Sequence, residues 1–111
     1  MTGFVQIIEW KSSRIDEVRA LGESRRADME GTGDGPSRIT VTADRKRPNH
    51  YLTIVEFSSY EQAMRNSEHP RTQEFAARMA ELCDGPPTFY DLDVVDTYID
   101  TAAGTRTRAT T

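Results

Sequence analysis

Apolar and polar positions change period several times along the chain, and each change marks an element. FVQIIEW, from Phe4 to Trp10, is short, rich in β-branched and aromatic residues, and bounded by Gly3 and the Ser12–Ser13 pair, which predicts a strand. Ile15, Val18 and Leu21 then share one helical face; Ser13, with Asp16 three residues on, is the expected N-cap, and GTGDGP stops the helix near Glu30. SRITVTA alternates cleanly with Ile39, Val41 and Ala43 inward, HYLTIVEF does not alternate, and the turn-like DRKRPN joins the two as a hairpin. Ser58 or Ser59 caps a short helix carrying Tyr60, Ala63 and Met64. Pro70 opens another, because proline's missing N–H would go unused in a first helical turn anyway. Gly85 ends that helix at C′, Pro86 and Pro87 prevent its continuation, and TFYDLDVVDTYI supplies the last strand.

The resulting order, β-α-β-β-α-α-β, predicts an α+β fold: a ferredoxin-like sandwich with a four-stranded antiparallel sheet covered by helices on one face. Two strands carry more apolar residues than such a sheet needs. The first has Phe4, Ile8 and Trp10 on one parity and Val5 and Ile7 on the other; the third has Leu52 and Ile54 against Tyr51, Val55 and Phe57. Helices of one chain cover one face, so the other is expected to pack on a second copy as a two-fold homodimer.

The 111 residues make one domain, expected over 1–99, and the segment 100–111 lacks apolar periodicity and is expected to be a disordered tail. A net charge of −4 argues against a nucleic-acid partner, and Arg45, Lys46 and Arg47 read as a solvated turn without aromatic interleaving. MTGFVQIIEW lacks the basic start and apolar core of a signal peptide, and no run approaches the roughly 20 apolar residues of a membrane span, so a soluble cytoplasmic protein without a membrane partner is expected. The single cysteine, Cys83, lies in the apolar run Phe75, Met79, Leu82, Cys83 and reads as a buried reduced thiol. Asp91 and Asp93 alternate on one strand face without His or Cys at ligand spacing, so no metal is expected. A phosphate loop, nucleophile elbow and dinucleotide fingerprint are all missing.

FVQIIEWKSSRIDEVRAL, YLTIVEFSSYEQAMRNSEHPRTQEFAARM and DGPPTFYDLDVV together resemble the antibiotic-biosynthesis-monooxygenase type of dimeric α+β barrel, over about residues 3–99. The most telling part is a strand ending in an aromatic, a Ser-capped helix and an N-S-x-x-P linker into the next helix. The resemblance implies a homodimer whose sheets meet to form the barrel, with one pocket per chain between sheet and helices. It says less about chemistry, because the superfamily includes cofactor-free monooxygenases, haem-degrading enzymes, isomerases and small-molecule binders. The haem-degrading branch uses an Asn, a Trp and a His at positions corresponding to Gln6, Met64 and Gln73 or Glu74, and none matches, so no cofactor is expected.

Chemistry therefore rests on a few polar residues. His69, just before Pro70, is pushed away from helical geometry and suits a turn; as a functional group it would be a general base at the pocket rim. Asn66 closes a helix or donates to a bound carbonyl, and Gln6 keeps an amide on the first strand. Trp10, Met64, Phe75 and Tyr90 are the candidate substrate-binding side chains, with core or dimer packing as the alternative for each; His50 reads as a strand-end residue. The expected function is that of a cofactor-independent monooxygenase or related oxidoreductase on an aromatic or polyketide-like small molecule, against a non-catalytic binding or structural dimer of the same fold and, behind both, a haem-binding or haem-degrading protein.

Overall fold

A computed structural model of the chain describes residues 3–29, 35–100 and 106–109. The elements are β1 (Phe4–Lys11), α1 (Ile15–Met29), β2 (Arg38–Ala43), β3 (His50–Phe57), α2 (Tyr60–Glu68), α3 (Pro70–Leu82), β4 (Thr88–Asp93), β5 (Thr97–Asp100) and β6 (Arg106–Ala109). The first seven form a ferredoxin-like α+β sandwich whose antiparallel sheet has the order β2-β3-β1-β4. The expected helix end at Glu30 lies outside the described residues.

Strand register sorts side chains by face. Phe4 pairs with Phe57 and Gln6 with Val55, and this parity faces α2, where Phe4, Val55, Phe57 and Ala63 form the buried core with Ile8 and Met64 against it. The Phe4 ring meets Tyr60 edge-on at 5.3 Å. The other parity of β1, β3 and β4 carries Val5, Ile7, Leu52, Ile54, Tyr90 and Leu92, which meet no helix; Leu52, Tyr90 and Leu92 are 36%, 44% and 43% exposed. Both apolar parities of the sequence are thus real, one buried and one bare. Ile39 and Val41 of β2 point to the helix side as expected, yet are 39% and 52% exposed, because β2 is an edge strand lying outside the buried core.

Local chemistry sets the element ends. Ser59, extended at φ −156°, ψ 161°, caps α2 by accepting from Gln62 N, and the Gln62 side-chain carbonyl accepts from Ser58 N at 3.1 Å, so both candidate serines take part in one capping arrangement. The hairpin between β2 and β3 is held by the Asp44 carboxylate, which accepts from the backbone N–H groups of Lys46 and Arg47, while Asn49 takes the left-handed conformation at φ 62°. The Lys46 N–H first, and the Arg47 guanidinium donating at 2.9 Å second, hold the Asp44 carboxyl below its ordinary range.

Several local expectations change. Ser12, not Ser13, does the polar work before α1: it is fully buried, its Oγ donates to Leu82 O at 2.6 Å, and it accepts from Arg14 N at 3.0 Å. Ser13 is exposed. The glycine near the end of α3 sits one position later than expected: Cys83 is the C-cap, already extended, so Asp84 occupies C′ and donates its N–H to Lys11 O, and Gly85 takes φ 106° at C″. Cys83 is half-buried rather than buried. The last predicted strand divides at Val94–Asp96 into β4 and β5, and β5 turns away to pair with β6, leaving Val95, Tyr98 and Ile99 80%, 57% and 55% exposed. Of the tail expected to be disordered, 106–109 form β6, and 101–105 and 110–111 lie outside the described residues.

Candidate functional site

Where the sheet passes beneath the helices, β1 and β4 present Gln6 and Asp91 side by side on the helix-facing parity, and Gln6 Nε2 donates to Asp91 Oδ1 at 2.9 Å. Phe89 flanks the pair on the same side of β4 and is 55% exposed, so the helix layer leaves this strip of sheet uncovered. Gln6 is half-buried and Asp91 exposed. A carboxylate held by an amide can accept a proton from a flat phenolic molecule that lies against the accessible aromatic ring beside it. Asp91 was legible only as half of an alternating acidic pair; the strand register gives it its partner.

The other candidates separate. Trp10 is 3% exposed, donates from Nε1 to Thr53 Oγ1 at 2.9 Å and stacks on Tyr51 with ring centroids 4.5 Å apart. Met64 packs on the Phe4 cluster. Tyr90 lies on the bare face, opposite to Gln6, and donates its hydroxyl to Glu9 Oε1 at 3.0 Å; the carboxylate beside it raises the phenol pKa above its ordinary value. His50 Nδ1 lies 3.1 Å from Pro48 O and so carries the proton it donates.

His69 is the shared boundary of two helices. It is the C-cap of α2 and the N-cap of α3, at φ −66°, ψ 132°, and its Nδ1 accepts from Arg71 N at 3.1 Å while its own N–H donates to Asn66 O. An accepting Nδ1 leaves the ring proton on Nε2. The backbone before Pro70 and the cap together give this histidine a complete local role.

Asn66 is engaged with α3 rather than with the Gln6–Asp91 strip. Its Oδ1 accepts from Thr72 Oγ1 at 3.3 Å, and Thr72 Oγ1 in turn accepts from Arg25 Nη2. Arg25 belongs to a cleft of about 100 Å³ between α1 and α3, in which Leu21 and Phe75 supply apolar wall and Arg25, Arg71 and Arg78 supply cations. Of the candidates, then, Phe75 lines this cleft, Asn66 is linked to Arg25 only through Thr72, and Gln6 lies on the sheet. Sequence reasoning missed Arg25; the one signal available was its place four residues after Leu21, on the stripe that already held Val18.

No family model matches the chain, and no curated protein matches it. Solved structures do. A provisionally named antibiotic biosynthesis monooxygenase from Caulobacter crescentus superposes with a TM-score of 0.74 at 14% identity, over 85% of this chain and 91% of that one. Rv0793 from Mycobacterium tuberculosis gives 0.70 at 14%, over 86% and 97%. SnoaB, a cofactor-independent oxygenase from Streptomyces nogalater, gives 0.65 at 15%, over 81% and 92%. At such identities the likeness establishes the fold, which is that of the antibiotic-biosynthesis-monooxygenase structures. Among the described residues no helix is long and apolar enough to cross a membrane.

Proposed function

We propose that the chain is a cofactor-independent monooxygenase, or a related oxidoreductase, that takes an aromatic or polyketide-like small molecule and works as a homodimer. The observation that carries the reading is the Gln6–Asp91 pair beside the exposed Phe89 ring, on a sheet whose fold is shared with SnoaB. Asp91 takes the proton of a substrate phenol, Gln6 holds the carboxylate in place, and the ring lies against Phe89. The electron-rich phenolate then reduces dioxygen by one electron. Recombination of the resulting pair forms a C–O bond as a hydroperoxide, and loss of water leaves the quinone: one phenol and one O₂ become one quinone and one H₂O. The bare sheet face supports the dimer, since Val5, Ile7, Leu52, Ile54, Tyr90 and Leu92 form a contiguous apolar patch that a second copy would cover.

Oxygen uptake with a panel of phenols, naphthols and anthrones tests the reading. Turnover above the uncatalysed rate is expected with at least one, falling about 10²–10⁴-fold in Asp91→Asn. Uptake no faster than without protein across the panel overturns it. One observation favours a second reading, a structural dimer of the same fold: Trp10 and Met64 are taken up in packing rather than lining open space. That reading gives neither oxygen uptake nor saturable quenching of Trp10 fluorescence by naphthol.

A further inference from the structure

β2 is an outermost strand of its sheet, and among the described residues no strand lies beyond it. Its sequence, RITVTA, holds no proline and no charge after Arg38, the features that commonly blunt such an edge, and Arg38, Ile39, Thr40, Val41 and Ala43 are exposed. The other outermost strand, β4, is guarded by Asp91 and Asp93.

Pairing with β3 decides which backbone groups of β2 are spare. Asp44 N–H donates to His50 O at 2.9 Å, and antiparallel alternation then turns Thr42, Thr40 and Arg38 toward β3 as well. The N–H and C=O groups of Ala43, Val41 and Ile39 point outward, where no described strand takes them. Laid antiparallel against itself about Val41, the strand is its own complement. Val41 then opposes Val41 and Ile39 opposes Ala43, so each spare N–H meets a spare C=O. Opposed residues share a face, so Ile39 and Val41, 39% and 52% exposed, gain apolar cover on the helix side, while Thr40 opposes Thr42 and Arg38 opposes Asp44 on the other. The charges are complementary and available. Arg38 Nε reaches Glu56 only at 3.7 Å, and Asp44 Oδ2 accepts from Arg47 Nε alone among the described residues, which leaves it a lone pair for a second guanidinium. Neighbouring registers lose this match: centring on Ala43 sets Ile39 against Arg47 in the hairpin turn, and centring on Ile39 sets Ala43 against Gly35, outside the strand.

We propose that the outer edge of β2 binds the same edge of a second copy, joining two sheets into one across a two-fold axis through the Val41 pair. The contact extends the sheet sideways and leaves both of its faces free. It is therefore separate from the bare face, and it does not rest on the function proposed above. An edge of this size makes a weak, concentration-dependent contact.

Amide–water exchange of the full chain, measured residue by residue by NMR at two concentrations, tests it. Ile39, Val41 and Ala43 should exchange about fourfold more slowly at about 1 mM than at about 20 µM, as a Kd of about 0.1 mM requires, while Thr40 and Thr42, already bonded to β3, should not change. Packing on the bare face would not produce that alternation. Val41→Lys, which sets like charges against each other at the centre, should abolish the concentration dependence with the fold intact. Should Val41→Lys fail to fold, Arg38→Asp, which puts like charge opposite the second copy's Asp44, carries the same expectation. Exchange at Ile39, Val41 and Ala43 that stays fast at both concentrations leaves this edge to water or to another kind of chain, and overturns the proposal. Slowing shared equally by Thr40 and Thr42, or retained in a folded Val41→Lys or Arg38→Asp protein, overturns it too.

Discussion

At the scale of single residues, polar atoms that look interchangeable in the sequence take unequal burdens. Ser12 and Ser13 are adjacent and alike, but only Ser12 is enclosed, between the end of β1 and the last turn of α3. Ser12→Ala strands Leu82 O and Arg14 N, and should cost about 1–3 kcal/mol in urea unfolding, whereas Ser13→Ala should stay within about 0.5 kcal/mol. His69 caps α3 through Nδ1, so His69→Ala should lose about 1 kcal/mol and His69→Asn, a stronger cap, should restore it. Neither change should alter the rate of oxygen uptake; a large loss of rate in a folded His69→Asn protein would return the ring to the reaction. Burial first, and Asp84 second, push the Cys83 thiol above its ordinary pKa. Favouring the neutral thiol in the fold contributes stability below the unfolded thiol pKa, and that contribution disappears as pH rises through the folded one. Alkylation of Cys83 at neutral pH should therefore be slower in the native chain than in urea, with the gap narrowing as the solution becomes alkaline.

At the scale of elements, β1, β2, β3, α2 and α3 were legible because each is specified by its own few residues: an alternation, a Ser cap, a proline at a first turn. The division of β4 from β5 was not. DLDVVDTYI keeps a strand-like composition throughout, and what ends β4 is the length of its partner: Val94 N–H donates to Gly3 O, where β1 begins. The two parities of β3 make a sharper test of the sheet than either alone. Val55→Asp puts a charge into the core and should cost several kcal/mol with the chain at any concentration. Leu52→Asp, on the bare face, should leave the secondary structure intact but abolish the proposed dimer in sedimentation equilibrium. If Leu52→Asp leaves the protein's mass in solution unchanged, this face does not carry a dimer.

At the scale of the whole molecule, the architecture could be read from element order, while the grouping of the candidate site could not, because register and helix contact decide it. Gln6 meets Asp91, and Asn66 reaches Arg25 through Thr72, across separations no local pattern encodes. The same separations govern assembly in time. β1 is a central strand, bonded to β3 on one side and β4 on the other, so the first strand to be made receives its second neighbour only when the last strand of the sheet arrives. Contacts this distant in sequence slow folding, since the intervening chain must be closed before they can form. On the ribosome, FVQIIEWK therefore waits with one unpaired edge and two apolar faces, and it is the segment most exposed to pairing with another nascent chain.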